Sequence, residues 1–254
     1  MTLAITRRVS PRFAECEVTY IPRQPIDLVR ARAQHAGYVA ALETVGCSVV
    51  LLPEEPEFPD SVFVEDAAVI FPGFAILTRP GAKSRRGETA SIATALRPHL
   101  PLRSLVAPAT LDGGDVLTIG RTVYVGLSSR TNHAAVEQLS TLLSRAGYGV
   151  RPVPLTGCLH LKSSVTALDD HSLLINPRWV DAGEFAGFEL LEVDSSEELG
   201  ANCLAVRGTV LCSAAFPRTH ARLQERGYTV LLIDVSELAK AEGAVTCCSL
   251  ILEG

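Results

Sequence analysis

Apolar residues along this chain come in short runs, and the runs come in pairs. "AAVIF" (67–71) is followed across Pro72-Gly73 by "FAILTRPG" (74–81). "DVLTI" (115–119) is followed across Gly120-Arg121 by "TVYVGLSSRTN" (122–132). "SSVTAL" (163–168) meets "SLLINPR" (172–178) across Asp169-Asp170-His171, and "NCLAV" (202–206) meets "TVLCSAAFPRT" (209–219) across Arg207-Gly208. Short apolar runs joined by Gly, Pro and Asp turns read as β-hairpins. A helical stretch follows most of them: "SRRGETASIATALRPHL", "NHAAVEQLSTLLSRAGY" and "PRTHARLQERGY". Another strand often comes after the helix, as in "GVRPVPL" and "YTVLLID".

Equivalent points recur at roughly 40 to 50 residues, a period typical of propeller-like arrays. Four pairs lie inside the chain. A fifth forms if the two ends join, "LAITRRV" beside "CCSLIL". Such closure removes two free sheet edges. The prediction is an α/β fold of five ββαβ units arranged as a pseudo-symmetric propeller, its ring closed by the N- and C-terminal strands. No linker or low-complexity segment interrupts residues 1–254, so a single domain is expected.

Composition narrows the partners. Hydrophobic residues make up 47% of 254 residues, ample for a core. A net charge of −5 argues against nucleic acid. No apolar run reaches membrane-spanning length. The opening "MTLAITRRVSPRF" is too short in apolar residues for a secretion signal, so a cytoplasmic, reducing location is expected. The seven cysteines are scattered without CxxC spacing, which fits neither a zinc knuckle nor a disulfide framework. Most read as small buried hydrophobes. The exception to weigh is the adjacent pair in "EGAVTCCSLILEG", set in what reads as a buried terminal strand.

Other chemistry lies beside predicted strands. In "FPDSVFVEDAAVIF", Asp60, Glu65 and Asp66 run into an apolar strand, where carboxylates are costly unless a cation satisfies them. Either Asp60 and Asp66 share a side by alternation while Glu65 faces the other way, or the chain turns between them. In "ATLDGGDVLTIG", Asp112 precedes two glycines that allow close backbone approach, and such an Asp can orient an imidazole. In "GCLHLKSSV", His160 alternates with leucines at the mouth of a strand. Arg85 and Arg130 end the first two hairpins and carry forks suited to a carboxylate. A thiol with an imidazole makes and breaks covalent bonds; acids bind a cation; arginines bind a carboxylate. A zwitterion with a cationic side chain meets all three demands, and arginine derivatives are the obvious candidates.

"PDSVFVEDAAVI", "LTRPGAKSRRGE", "LDGGDVL", "GLSSRTN", "LHLKS", "GANC" and "TCCSL" together resemble the dimethylarginine dimethylaminohydrolases of the guanidino-group-modifying superfamily. The resemblance runs from about Ile5 to Leu252. It implies the five-bladed pentein fold and hydrolysis of Nω-methylated arginines to citrulline and a methylamine, with no metal or organic cofactor. It implies Cys247 as nucleophile, His160 as general acid and base, and Asp112 as the carboxylate orienting the histidine. Glu65 and Asp66 would hold the guanidinium, Asp60 would stand near the α-amine, and Arg85 and Arg130 would clamp the carboxylate. The carbonyls of Val18, on a lid loop, and Ala241 would receive the α-amine. Glu242 stands where the family often has Asp, and its extra methylene would shift contact with a substrate nitrogen. Cys248 is expected to point away from Cys247 by strand alternation. The expected partner is a small methylarginine, with neither nucleic acid nor membrane, for a monomer or homodimer. Two readings stay open: a sister hydrolase acting on free arginine, and a catalytically silent homologue that only binds methylarginines.

Overall fold

The computed structural model describes residues 2–253. Its backbone repeats one unit, a hairpin whose second strand is joined in parallel by a third. The chain opens with β1 (Thr2–Arg7), α1 (Leu28–Thr44) and β2 (Ser48–Leu52). The first full unit is β3 (Ala68–Phe71), β4 (Phe74–Leu77), α2 (Thr89–Leu96) and β5 (Leu102–Ser104). The second is β6 (Val116–Ile119), β7 (Thr122–Leu127), α3 (His133–Ser144) and β8 (Gly149–Pro154). In the third, a single α-turn α4 (Leu161–Ser164) leads into β9 (Val165–Ala167), β10 (Ser172–Ile175) and β11 (Glu189–Glu192). The fourth is β12 (Cys203–Val206), β13 (Thr209–Ser213), α5 (Pro217–Glu225) and β14 (Thr229–Ile233). A short α6 (Ser236–Ala239) precedes the last strand, β15 (Leu250–Glu253).

These strands make five three-stranded sheets. In the four internal sheets the hairpin is antiparallel and the third strand parallel to the second. The remaining sheet has the order β15-β1-β2 and draws on both ends of the chain. β15 runs antiparallel to β1 with Leu3 opposite Leu252 and Ile5 opposite Leu250, while β2 runs parallel to β1.

Local sequence explains the joints. Arg207 and Gly208 both have positive φ, 49° and 78°, the two-residue turn whose twist matches flanking strands. Asp27 caps α1 by accepting the Arg30 N–H, Asn132 caps α3 by accepting that of Ala135, and α5 starts on Pro217. Two elements depart from expectation. The third unit carries a 3-10 turn, Ala182–Phe185, where others carry a helix. Unforeseen by periodicity, α1 completes the fifth unit; its apolar positions are mostly alanines and give a weak stripe.

The buried apolar residues fall into five clusters. One joins Val69 and Ile76 to Val116, Val123 and α3, that is, the first sheet to the second. Others join the second to the third through Leu117, Tyr124, Val165 and Leu173, and the third to the fourth through Leu174, Leu191, Cys203 and Cys212. Val206 and Leu211 share a cluster with Ala4 and α1, and Ile5, Leu250 and Leu252 share one with Ala68, Ala75 and α2. Among the described residues no helix is long and apolar enough to cross a membrane.

Candidate active site

Each sheet's hairpin strand is entered from a short helical turn. The five turns are Val64–Ala67, Gly113–Asp115, Leu161–Ser164, Glu198–Ala201 and Thr246–Cys248. The polar residues singled out in the sequence cluster on or beside four of them. They surround a small cleft whose wall includes Cys247, His160, Asp112, Asp66, Asp60 and Arg130, together with Ala241, Glu242 and Glu17.

The cysteine pair differs from its strand reading. Cys247 and Cys248 lie in the 3-10 turn before β15, which starts only at Leu250. Glu242 takes a left-handed φ of 58°, and the chain turns through Gly243 before straightening. A Cβ on Gly243 would meet the Phe63 ring at 2.1 Å, so close packing against the first turn dictates the bend. Cys247 reaches the cleft wall, whereas Cys248 is fully buried and aims its Sγ at the Ala244 carbonyl, 3.6 Å away. Burial, then the charges of Glu65 and Asp66, push the Cys247 thiol up to about 12.

His160 Nε2 pairs with Asp112 Oδ2 at 3.1 Å, and Asp112 Oδ1 accepts the Gly81 N–H at 2.9 Å. With Nε2 donating to the carboxylate, Nδ1 is the nitrogen left for other partners. The imidazole lies against Gly114: a Cβ there would sit 2.7 Å from Nδ1. At Gly113 a Cβ would fall 1.9 Å from the Glu65 carbonyl. Both glycines are required by close approach of neighbouring turns. Burial pulls the imidazole down, but Asp66, the Asp112 hydrogen bond and Asp115 outweigh it and raise it to about 9. Asp115, one of the residues the sequence reading gave no role, accepts from Ser128 and Thr131 hydroxyls and from the Leu161 N–H beside His160. Burial raises Asp115 to about 6.

Glu65 and Asp66 sit in the 3-10 turn Val64–Ala67 instead of a strand, so a turn of the chain and not strand alternation divides the acids. Asp66 accepts the Gly114 N–H at 3.0 Å and Arg85 Nη1 at 2.6 Å. Burial opposes its charge, but His160 and Arg85 prevail and hold it down to about 2. Asp60 accepts the Glu17 N–H on both oxygens at 3.2 Å, and burial raises its carboxyl. Glu65, expected to grip a guanidinium, is absent from the cleft wall. Its Oε1 takes Lys162 Nζ at 2.7 Å and its Oε2 the Thr246 hydroxyl at 2.8 Å.

The two arginines part company. Arg85 touches the cleft, but its guanidinium is committed to five acceptors: both Glu88 oxygens, Asp66 Oδ2 and the carbonyls of Asp60 and Phe63. Its fork therefore faces the protein's own acids rather than a ligand carboxylate. Glu88, in that pocket, is pushed by burial up to about 7 despite Arg85. Arg130 makes one side-chain hydrogen bond among the described residues, Nη2 to Thr19 Oγ1 at 3.0 Å, and keeps its remaining donors for the cleft.

The lid also differs in detail. Glu242 sends its carboxylate to the loop: Oε2 accepts the Thr19 N–H at 2.6 Å, and Oε1 those of Tyr20 at 2.6 Å and Ile21 at 3.2 Å. The extra methylene that separates Glu from Asp gives this reach. Val18 is half-buried against the core behind the loop and is absent from the wall, which the loop meets through Glu17. Asp66, Asp112 and His160 bring ligand atoms within 4.8 Å of one another, the spacing of a metal site. With Nε2 turned to Asp112 and the imidazole's protonated form favoured, the ring has no lone pair to offer a metal ion. Lys162, Thr246 and Asn202 were within reach of sequence reading, because "LHLKS", "TCCSL" and "GANC" contain them.

Known proteins carry the same arrangement of sheets. A family model described as "N,N dimethylarginine dimethylhydrolase, eukaryotic" matches residues 23–166. The chain is 42% identical over 252 residues to the N(G),N(G)-dimethylarginine dimethylaminohydrolase of Streptomyces coelicolor, covering 98% of this chain and 96% of that one. It is 38% identical over 226 residues to the enzyme of that name from Pseudomonas aeruginosa, covering 88% and 89%. A solved structure of the Pseudomonas aeruginosa protein, a Cys-to-Ser mutant complexed with citrulline, superposes with a TM-score of 0.94 at 35% identity over 98% of both chains. Identity at this level over near-complete lengths means that the chain belongs to the dimethylarginine dimethylaminohydrolase family.

Proposed function

We propose that this chain hydrolyses asymmetric dimethylarginine and monomethylarginine to citrulline and dimethylamine or methylamine, with Cys247 as nucleophile. The observation that carries the reading is one cleft joining a thiol, an Asp112-bound imidazole and the buried acid Asp66. The citrulline complex of the Pseudomonas aeruginosa relative, obtained with a Cys-to-Ser mutant, supports the same product and a cysteine's part in it.

Before substrate binds, the raised thiol favours its protonated form and the raised imidazole its charged form. A guanidinium seated beside Asp66 offsets the acids that raise the thiol, so binding favours loss of its proton to solvent. The thiolate forms a bond to the guanidinium carbon. His160 gives a proton to the dimethylamino nitrogen, and the C–N bond breaks. A thiouronium adduct stays on Cys247. The neutral histidine then takes a proton from water as its oxygen bonds to the same carbon. The C–S bond breaks, the remaining hydroxyl proton passes to the sulfur and restores the thiol, citrulline leaves, and the released amine takes up the proton that the thiol shed. Asp112 holds the histidine's orientation, and Asp66 holds the cation. Arg130 supplies the fork for the substrate carboxylate, with Ala241 beside the α-amine. Arg85 acts by fixing Asp66, and Glu65 by fixing Lys162 and Thr246.

We read the five sheets as blades of one closed ring forming a single domain in the cytoplasm. Supporting this, each apolar cluster bridges two sheets, including the fifth and the first. The test incubates the protein with asymmetric dimethylarginine, monomethylarginine and arginine, and measures citrulline with dimethylamine, methylamine or ammonia. Faster turnover of the methylated substrates is expected. Preference for arginine, or no product from any of them, refutes the proposal.

A further inference from the structure

Four of the five turns contribute to the chemistry proposed above: the first through Asp66, the second beside Asp112, the third beside His160, the fifth through Cys247. The fourth, Glu198–Ala201, contributes nothing. The residue that leaves it for β12 is Asn202, 5% exposed. Its amide is fully engaged with the turns on either side. Nδ2 donates to the Lys162 carbonyl and to Thr246 Oγ1, each at 2.9 Å. Oδ1 accepts the Thr246 N–H at 3.1 Å. Lys162 lies two residues after His160, and Thr246 immediately precedes Cys247.

The bonds close a circuit. Thr246 Oγ1 donates to Glu65 Oε2, and Glu65 Oε1 accepts Lys162 Nζ. Lys162 Nζ also reaches the Gly113 carbonyl at 3.3 Å, bringing in the second turn. All five turns are thereby tied behind the cleft, and among the described residues Asn202 is the one side chain that hydrogen-bonds the backbone of both the histidine turn and the cysteine turn. Resting on the hydrolase reading, we propose that Asn202 is a positioning residue that sets the separation of Cys247 and His160. Only an amide supplies two donors and one acceptor from one planar group here. A carboxylate of the same size would turn an acceptor toward the Lys162 carbonyl. An apolar side chain would leave the buried Thr246 N–H and Lys162 carbonyl without this partner, and the cysteine turn would relax toward others. Displacement of reacting groups by about 1 Å costs on the order of 100-fold in rate.

The experiment compares wild type with Asn202→Ala, Thr246→Val, Asn202→Asp and the double variant Asn202→Ala/Thr246→Val. For Asn202→Ala, kcat is expected to fall on the order of 100-fold with KM within about threefold. Asn202→Asp is expected to regain activity as pH is lowered, because only a protonated carboxyl restores a donor. The double variant is expected to fall by less than the product of its two single parents' losses, since Asn202 and Thr246 belong to one hydrogen-bonded circuit. Iodoacetamide alkylation of Cys247, mapped by peptide mass, reads the arrangement without turnover and is expected to quicken in Asn202→Ala. Unchanged kcat in Asn202→Ala overturns the proposal, as does unchanged alkylation. If Asn202→Ala does not fold, the near-isosteric Asn202→Asp decides, and a pH profile superimposable on wild type overturns it. A wild type without turnover defeats the hydrolase reading alone, and the alkylation rates then decide this one.

Discussion

Replacing Glu242 by Gln tests whether this side chain closes the cleft instead of contacting substrate. The carboxylate accepts three successive backbone N–H groups of the loop, from Thr19, Tyr20 and Ile21. Hydrogen bonds to a charged acceptor contribute about 1.5–3 kcal/mol each where buried, against about 0.5–1.5 for neutral ones. Gln keeps the oxygen facing Tyr20 and Ile21 but sets an N–H₂ against the Thr19 N–H, so one bond is lost and two lose their charge. Thr19 and Tyr20 are solvent-facing, which reduces the effect, so the closed loop is expected to lose about 1–2 kcal/mol. That is roughly 5- to 30-fold in the ratio of closed to open loop. Since the loop carries the Glu17 N–H bound to Asp60 and the Thr19 hydroxyl bound to Arg130, kcat/KM should fall by that factor. Hydrogen exchange of amides 17–21 should rise in parallel, with the rest of the chain unchanged. Steady-state kinetics and exchange mass spectrometry measure the two. Slower turnover with unaltered exchange in the loop refutes the clasp and returns Glu242 to direct substrate contact.

Cys247→Ser should abolish product formation while Cys248→Ser retains most of it, as read by citrulline release; the reverse would place the wrong sulfur in the cleft. Arg130→Ala should raise KM about 30- to 100-fold with a smaller change in kcat, because it removes a charge-assisted contact that ground state and transition state share. An unchanged KM would show that another group holds the carboxylate. The His160 imidazole ties stability to pH. Its folded value, about 9, exceeds the ordinary 6.5, so its charged form adds stability fully below pH 6.5, and that stability is lost as pH rises through about 9. The excess stability of wild type over His160→Gln in denaturant titrations should therefore shrink between pH 6.5 and 9. A gap that widens over that interval would contradict the assignment.

The hairpins were legible because their cause is local. Pro72-Gly73, Gly120-Arg121 and Arg207-Gly208 each join two apolar runs, and every one of these turns sits where the sequence predicts it. The pairing of the chain's ends was also legible, since unpaired edges are unfavourable and one unit was incomplete. Glu65 and Asp66 do face apart, but because they lie in the 3-10 turn Val64–Ala67, not through strand alternation. Helix α1 was not legible: its alanines leave too faint a stripe, and its core contacts come from Tyr38 and Leu42 packing on distant strands. The cysteine turn read as a strand because its apolar residues are buried all round, which periodicity does not distinguish from a strand inside a core.

By itself the sequence determined the repeat, the hairpin positions and the residue types gathered for chemistry, since turn preference and apolar spacing act over a few residues. The family was likewise written in ordered motifs spread over the whole length. Tertiary structure alone decided which groups meet a ligand and which meet each other. Arg85 and Arg130 look alike as residues at hairpin ends, yet one is saturated by Glu88 and Asp66 and the other faces the cleft. Glu242 became a loop clasp, and Asn202 a link between two turns, 40 residues from Lys162 in one and 44 from Thr246 in the other. A hydrogen bond is fixed by distance and direction between groups far apart in the chain, and those are set only when the sheets pack.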